Sequence, residues 1–199
     1  MPGKYKRKDH YYTEAKDQGY RSRAAFKLVE AQKKYKLIRP GMRILDLGCW
    51  PGGWLQVASQ LTGAEGKVIG VDLVSTEYSS CSNVITLQGD VRSREVLAEC
   101  VSLAGGAFDL VLSDMAPKLT GIREVDESGT IECAAIAEEA CRRCLRKGGA
   151  AVIKLFKSSG ADEFLKQMRK LFDKVVRAEL EASRKTSTEF YMVGTGFKG

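Results

Sequence analysis

At 199 residues with 44% apolar content, the chain is long enough to bury one well-packed core and too short for two full-sized domains. No apolar run approaches the roughly 18 residues that cross a bilayer, and the basic start Lys4, Lys6, Arg7, Lys8 leads into polar sequence, which excludes the pattern of a signal peptide and predicts a cytoplasmic protein with no membrane partner. The net charge of +7 resides in residues 1–36, where eleven Lys and Arg face four acids, while the remainder is balanced at 21 against 21.

Residues 1–21 read as a basic arm, and residues 22–199 as one folded domain. Tyr5, Tyr11, Tyr12 and Tyr20 are interleaved with the cations, a mixture that suits a polyanion, because Lys and Arg neutralise phosphates while rings stack on exposed bases. A solvated arm that only aids solubility is the alternative from charge alone. Residues 22–35 follow as a helix with Ser22 as its cap and Lys27 within it. After the turn signal Pro40-Gly41, strand-like and helical runs alternate: strand 43–47, helix 54–61, strand 67–72, strand 84–88, helix 94–103 and strand 108–113. Residues 118–129 read as a substrate-facing loop, and a helix over 132–146 ends at Gly148-Gly149. Strand 150–155, helix 162–172 and strands 175–178 and 190–195 complete the chain. Such alternation predicts a parallel sheet wrapped by helices.

Strand 43–47 runs into Gly48-Cys49-Trp50-Pro51-Gly52-Gly53-Trp54 and then into a helix, a unit that brings backbone against a nucleotide-like ligand. Glycine permits that approach, Pro51 stiffens the turn and Asp46 can fix the loop through its carboxylate. The spacing G-x-x-x-G-G departs from the dinucleotide fingerprint G-x-G-x-x-G, which argues against a Rossmann oxidoreductase. Asp72 at the end of the second strand is placed to accept from two ribose hydroxyls, and Asp90 after the third from an adenine amino group. Asp114 closes the fourth. Each acid alone is as readily a cap or turn residue; their joint occurrence on one rim favours a ligand. The six cysteines, Cys49, Cys81, Cys100, Cys133, Cys141 and Cys144, are irregularly spaced and read as reduced thiols. Cys141 and Cys144 form a lone CxxC in a helical stretch with no second ligand pair, so zinc is not expected.

Five ordered motifs carry a resemblance. They are residues 20–28 (YRSRAAFKL), Asp46-Leu47-Gly48 with Pro51-Gly52-Gly53-Trp54, Ser113-Asp114-Met115-Ala116-Pro117, Val152-Ile153-Lys154-Leu155-Phe156, and Ser183-Arg184-Lys185 leading to Glu189. Together they resemble the RlmE/FtsJ (RrmJ) family of 2′-O-ribose methyltransferases, and the likeness runs from about Asp9 to Lys198. It implies a Rossmann-like class I fold, a mostly parallel seven-stranded sheet with helices on both faces, with S-adenosyl-L-methionine as cofactor. The family's tetrad falls on Lys27, Asp114, Lys154 and Glu189, and the implied cofactor-binding residues are Gly52, Trp54, Asp72, Asp90 and Asp114. Trp54 is expected either against the methionine portion or in the core. Cys49-Trp50 departs from the small residues usual at those positions.

A ribose hydroxyl is a poor nucleophile, so its proton must leave as it attacks the sulfonium methyl. Lys154 is the expected base, since a lysine beside another cation and partly desolvated can shed its proton. Lys27 would supply that cation and hold the nucleotide, Asp114 would orient Lys154, and Glu189 would orient the lysines or the ribose. No metal is required. The single histidine, His10, cannot build a competing Ser-His-Asp or zinc site. The short length resembles the bacterial-type enzyme acting on a uridine of 23S rRNA in the 50S subunit. A tRNA 2′-O-methyltransferase of the same family and a non-catalytic RNA-binding ribosome-assembly factor are the alternatives.

Overall fold

A computed structural model describes residues 10–78, 81–118, 120–184 and 187–199. Seven strands, β1 (Arg43–Leu47), β2 (Lys67–Asp72), β3 (Val84–Gln88), β4 (Phe108–Ser113), β5 (Leu145–Phe156), β6 (Phe172–Ala178) and β7 (Glu189–Phe197), form one sheet in the order β3-β2-β1-β4-β5-β7-β6. β7 runs antiparallel to both its neighbours, while β1 to β5 pair in parallel. The helices are α1 (His10–Asp17), α2 (Ala25–Tyr35), α3 (Gly53–Thr62), α4 (Arg94–Ala104), α5 (Arg123–Cys144) and α6 (Ser159–Leu171).

Alternation along the strands divides the core in two. Ile44, Val68, Leu110 and Val152 pack with α2 and α3, whereas Leu45, Ile69, Val111 and Ile153 pack with α4, α5 and α6. Helices therefore cover both faces of a mostly parallel seven-stranded sheet. Strand order reverses between β1 and β4, and at such a switch point the loops after the strands diverge and leave a crevice for a ligand. Gly48, Asp72 and Asp114 all lie at this end of the sheet.

Four expectations are corrected. The arm over 1–21 is not wholly an arm: residues 1–9 lie outside the described residues, but α1 packs onto α2, with Tyr11 and Tyr20 at 5.6 and 5.4 Å from the Phe26 ring. Those two rings are thereby engaged. Helix α2 begins at Ala25, and Ser22 does not cap it. Much of the supposed loop 118–129 is helix, because Asp126 ties down the preceding turn by accepting from the Thr120 and Gly121 N–H groups, and Glu124 and Asp126 suit a helix N-terminus. Finally α5 ends at Cys144, and Gly148-Gly149 lie inside β5, where pairing with β4 jumps from Leu145 to Ala150.

The segment before α2 is stitched to the glycine loop. Arg21 N–H donates to Gln56 Oε1 (2.8 Å), Gln56 Nε2 donates to the Gly19 carbonyl (2.8 Å), and Arg21 Nε donates to the Pro51 carbonyl (2.6 Å). Trp54 Nε1 donates to the Ala24 carbonyl (2.7 Å), and its ring lies 5.8 Å from that of Tyr191. Gly52, at φ 101°, faces this seam: a Cβ there would stand 3.0 Å from Arg21 Cδ and 3.3 Å from the Tyr78 ring. Trp54→Phe removes the indole hydrogen bond while keeping the ring contact, so it should lower unfolding free energy by about 1–2 kcal/mol in urea titrations. An unchanged midpoint would show that the seam contributes nothing to stability.

Candidate active site

Strand register brings the four tetrad side chains together. Asp114 follows directly on β4, whose Ser113 pairs with Ile153 of β5, so the next residue along each strand places Asp114 beside Lys154. Across the antiparallel pair, Lys154 lies opposite Tyr191 and Phe156 opposite Glu189. Lys27 reaches the same point from α2, on the sheet face that the alternation assigns to Lys154. Lys154 Nζ donates to the Asp114 carbonyl (2.9 Å) and stands 3.1 Å from Asp114 Oδ1; Lys27 Nζ stands 2.7 Å from Glu189 Oε1 and 3.9 Å from Asp114 Oδ1. Tyr191 completes the cluster, its hydroxyl donating to Asp114 Oδ1 at 2.6 Å.

The side chains are nearly buried, yet their formal charges cancel. Burial alone would raise the Asp114 carboxyl, but Lys154, Lys27 and the Tyr191 hydroxyl outweigh it and hold the group below its ordinary value. Glu189 behaves alike: burial opposes ionisation, and Lys27 more than compensates. The Tyr191 hydroxyl is pushed well above its ordinary value by burial and by the two carboxylates, so it keeps its proton and acts as a donor. Asp46 is the exception. It is fully buried, its Oδ2 has no partner among the described residues, and burial followed by repulsion from Asp114 and Asp72 raises its carboxyl strongly. The expected role of Asp46 as a loop-fixing carboxylate is not seen; the loop is held instead by Gly48 and Cys49 N–H groups donating to the Val71 carbonyl.

Two cavities meet at this cluster. The first, of about 360 Å³, is lined by Gly48, Trp50, Asp72, Asp90, Asp114 and Met115 among others. A Cβ on Gly48 (φ 72°) would stand 2.6 Å from Met115 Cγ, so the glycine lets the cavity floor close up. Asp72 accepts from the Trp50 and Val74 N–H groups, each at 2.9 Å, which orients its carboxylate and leaves lone pairs for a diol. Asp90 is held by Arg92 in a bidentate pair, a partner the sequence reading lacked. Carboxylates spaced along apolar walls fit S-adenosylmethionine, with its adenine, ribose diol and cationic sulfonium. Of the five residues expected to bind it, Asp72, Asp90 and Asp114 line the cavity. Gly52 and Trp54 do not: Gly52 serves the Arg21 seam, and Trp54 packs in the core.

The second cavity, of about 290 Å³, is lined by Arg23, Ala24, Lys27, Phe156, Arg184, Ser187 and Glu189. Asp114 faces the first cavity, Lys27 and Glu189 face the second, and the ion cluster forms the wall between. Arg23 Nη2 donates to the Ala182 carbonyl (2.6 Å), which braces the segment carrying Arg184. Sequence reasoning missed Tyr191, although its position two residues after Glu189 on a strand puts both on one face. It also missed Phe156, which shares the Lys154 face by the same rule. Lys185 of the last motif lies outside the described residues.

The sequence model of the family described as FtsJ-like methyltransferase matches residues 20–197. The chain is 44% identical over 192 residues to the ribosomal RNA large subunit methyltransferase E of Pseudomonas fluorescens strain Pf0-1, covering 96% of this chain and 91% of that protein. Among solved structures, a ribosomal RNA methyltransferase of Plasmodium falciparum is similar at TM-score 0.77 and 27% identity, covering 90% of this chain and all of that one. Aeropyrum pernix fibrillarin, crystallised with natively bound S-adenosyl-L-methionine, shares the fold at TM-score 0.62 and 18% identity, over 85% of this chain and 74% of its own. With the matched family model spanning most of its length and the tetrad assembled at the sheet's switch point, the chain belongs to the FtsJ-like methyltransferase family.

Proposed function

We propose that this protein transfers a methyl group from S-adenosylmethionine to a ribose 2′-hydroxyl of large-subunit ribosomal RNA, with a uridine of 23S rRNA in the 50S subunit as acceptor, and that it works in the cytoplasm. The observation that carries the reading is the ion cluster of Lys27, Asp114, Lys154 and Glu189 standing between two cavities, one suited to the cofactor and one rimmed by Arg23 and Arg184. The named relative from Pseudomonas fluorescens supports the choice of ribosomal RNA. Among the described residues no helix is long and apolar enough to cross a membrane.

When bound, S-adenosylmethionine supplies an electrophilic methyl whose bonding electrons remain on sulfur as the ribose oxygen attacks. Lys154 Nζ, once it has released its own proton to solvent, takes the 2′-hydroxyl proton as the new C–O bond forms. Asp114 fixes the direction of that nitrogen through its backbone carbonyl and Oδ1, and the Tyr191 hydroxyl fixes Asp114. Lys27 holds positive charge beside the forming alkoxide, and Glu189 sets its position. Arg23 and Arg184 take phosphates at the mouth, and Phe156 offers an apolar wall to a base. Because charge is cancelled in this transfer, alignment in a dry site supplies most of the rate.

Three outcomes are expected. Lys154→Ala should reduce 2′-O-methylation by roughly 10²–10⁴-fold while calorimetry shows the cofactor still binding; retained turnover would remove Lys154 from the base role. Arg184→Ala should weaken RNA binding and lower the slope of log affinity against log salt by about 0.7–0.9, with cofactor affinity unchanged. A slope equal to the parent's would take Arg184 away from phosphate. With labelled cofactor and a panel of 50S subunits, free 23S rRNA and tRNA, label should enter a 23S uridine ribose, and preferential labelling of tRNA would replace the proposed acceptor.

A further inference from the structure

Trp50 is the largest exposed apolar side chain near the cofactor cavity and has no part in the mechanism. It is 58% exposed, whereas Trp54, four residues on, is buried. Its neighbours on the cavity wall explain its placement. The Trp50 backbone N–H donates to Asp72 Oδ2, the carboxylate suited to a ribose diol, so its backbone is tied to that acid, and Trp50 lines the same cavity. Leu73, 67% exposed, lines the same cavity, and Val74, 52% exposed, follows it and donates its N–H to the other Asp72 oxygen. Three large exposed apolar residues thus adjoin or bond to one carboxylate, and two of them, Trp50 and Leu73, line the cavity together with Asp90 and Val91. An isolated exposed apolar residue is ordinary, but a cluster rimming a cavity marks a surface that a ligand covers.

We propose that Trp50 is an affinity-determining residue of this chain, its indole ring packing over the ribose and adenine of the bound cofactor so that the outer wall of the cavity is completed by an aromatic face. The proposal rests on S-adenosylmethionine as the cofactor. A flat purine and the C–H face of a ribose are matched by an indole, which offers a wide apolar plate at little cost in rotamer freedom. On this reading the methionine portion would lie toward Asp114 and make no contact with the Trp50 ring. Losing the ring should therefore weaken every ligand that carries the adenosine part, and by a similar factor.

The test compares the parent protein, Trp50→Ala and Trp50→Phe by calorimetry with S-adenosylmethionine, S-adenosylhomocysteine and methylthioadenosine. Trp50→Ala should weaken all three by roughly tenfold, and Trp50→Phe should restore most of the loss, as expected for an aromatic contact. Tryptophan emission supplies a second readout: acrylamide quenching should fall when S-adenosylhomocysteine is added to the parent, and that change should vanish in Trp50→Phe, whose remaining emitter is the buried Trp54. Equal affinities in parent and Trp50→Ala, or quenching that ligand leaves unaltered, would overturn the proposal, as would a loss confined to RNA affinity. A parent protein that binds none of the three ligands would instead refute the cofactor reading, which keeps the two failures apart.

Discussion

The ion cluster at the switch point of the sheet depends on the neutralisation of Asp114. A carboxylate placed this deep, next to two further acids, would be forced toward its protonated form were it not for Lys154 at 3.1 Å, Lys27 at 3.9 Å and the Tyr191 hydroxyl at 2.6 Å. The dependence is mutual, because an ammonium taken out of water with no anion costs several kcal/mol. Glu189 is what lets a second lysine enter without leaving a net charge. The antiparallel insertion of β7 between β5 and β6 provides it: only in that register does Glu189 face Phe156 while Tyr191 faces Lys154. An otherwise parallel sheet thus carries one reversed strand, which delivers two side chains from the far end of the chain to the cluster.

Asp114, Asp72 and buried Asp46 lie close enough to act on one another, and each is held differently. Asp114 has the lysines. Asp72 has two backbone N–H groups from the loops beside it. Asp46 has neither, and burial with repulsion from Asp114 and Asp72 pushes its carboxyl well above the ordinary value. Identical side chains thus sit in three different environments: ion-paired, held by backbone N–H groups, and buried with one oxygen unpartnered among the described residues.

Much of this was legible in the sequence, for identifiable reasons. The strands 43–47, 67–72, 84–88 and 108–113 stand as expected, because each is a short apolar run bounded by turn residues. The tetrad was legible through its motifs, and its convergence follows from register. What escaped were features set by contacts distant in sequence. Trp54 was expected against the methionine portion or in the core; the bond from its indole to the Ala24 carbonyl, thirty residues earlier, could not be read from the sequence. Nor could the sequence show the close approach of Gly52 to Arg21. Gly148-Gly149 read as the stop after a helix, yet they lie inside β5, where pairing with β4 is irregular. Helix α5 reaches back to Arg123 across Gly129, where a Cβ would stand 2.8 Å from Pro117, so the glycine reflects close packing and not a loop.

The basic segment shows why a charge count predicts an interface only coarsely. Arg21, Arg23 and Lys27 lie within seven residues and have the same sign, yet the structure divides them by geometry. Arg21 turns to the Pro51 carbonyl and the Tyr78 ring, Arg23 braces the Ala182 carbonyl at the mouth of the second cavity, and Lys27 enters the ion cluster. Only the last two face the space where RNA would lie, while the first secures the loop beside the cofactor cavity. Residues 19–27 therefore support both cavities at once, fastened through Gln56 and Trp54 on one side and through Glu189 on the other. A methyl donor and its acceptor must meet along one line, and mounting the walls of both cavities on a single short stretch of backbone fixes their relative position without a second domain.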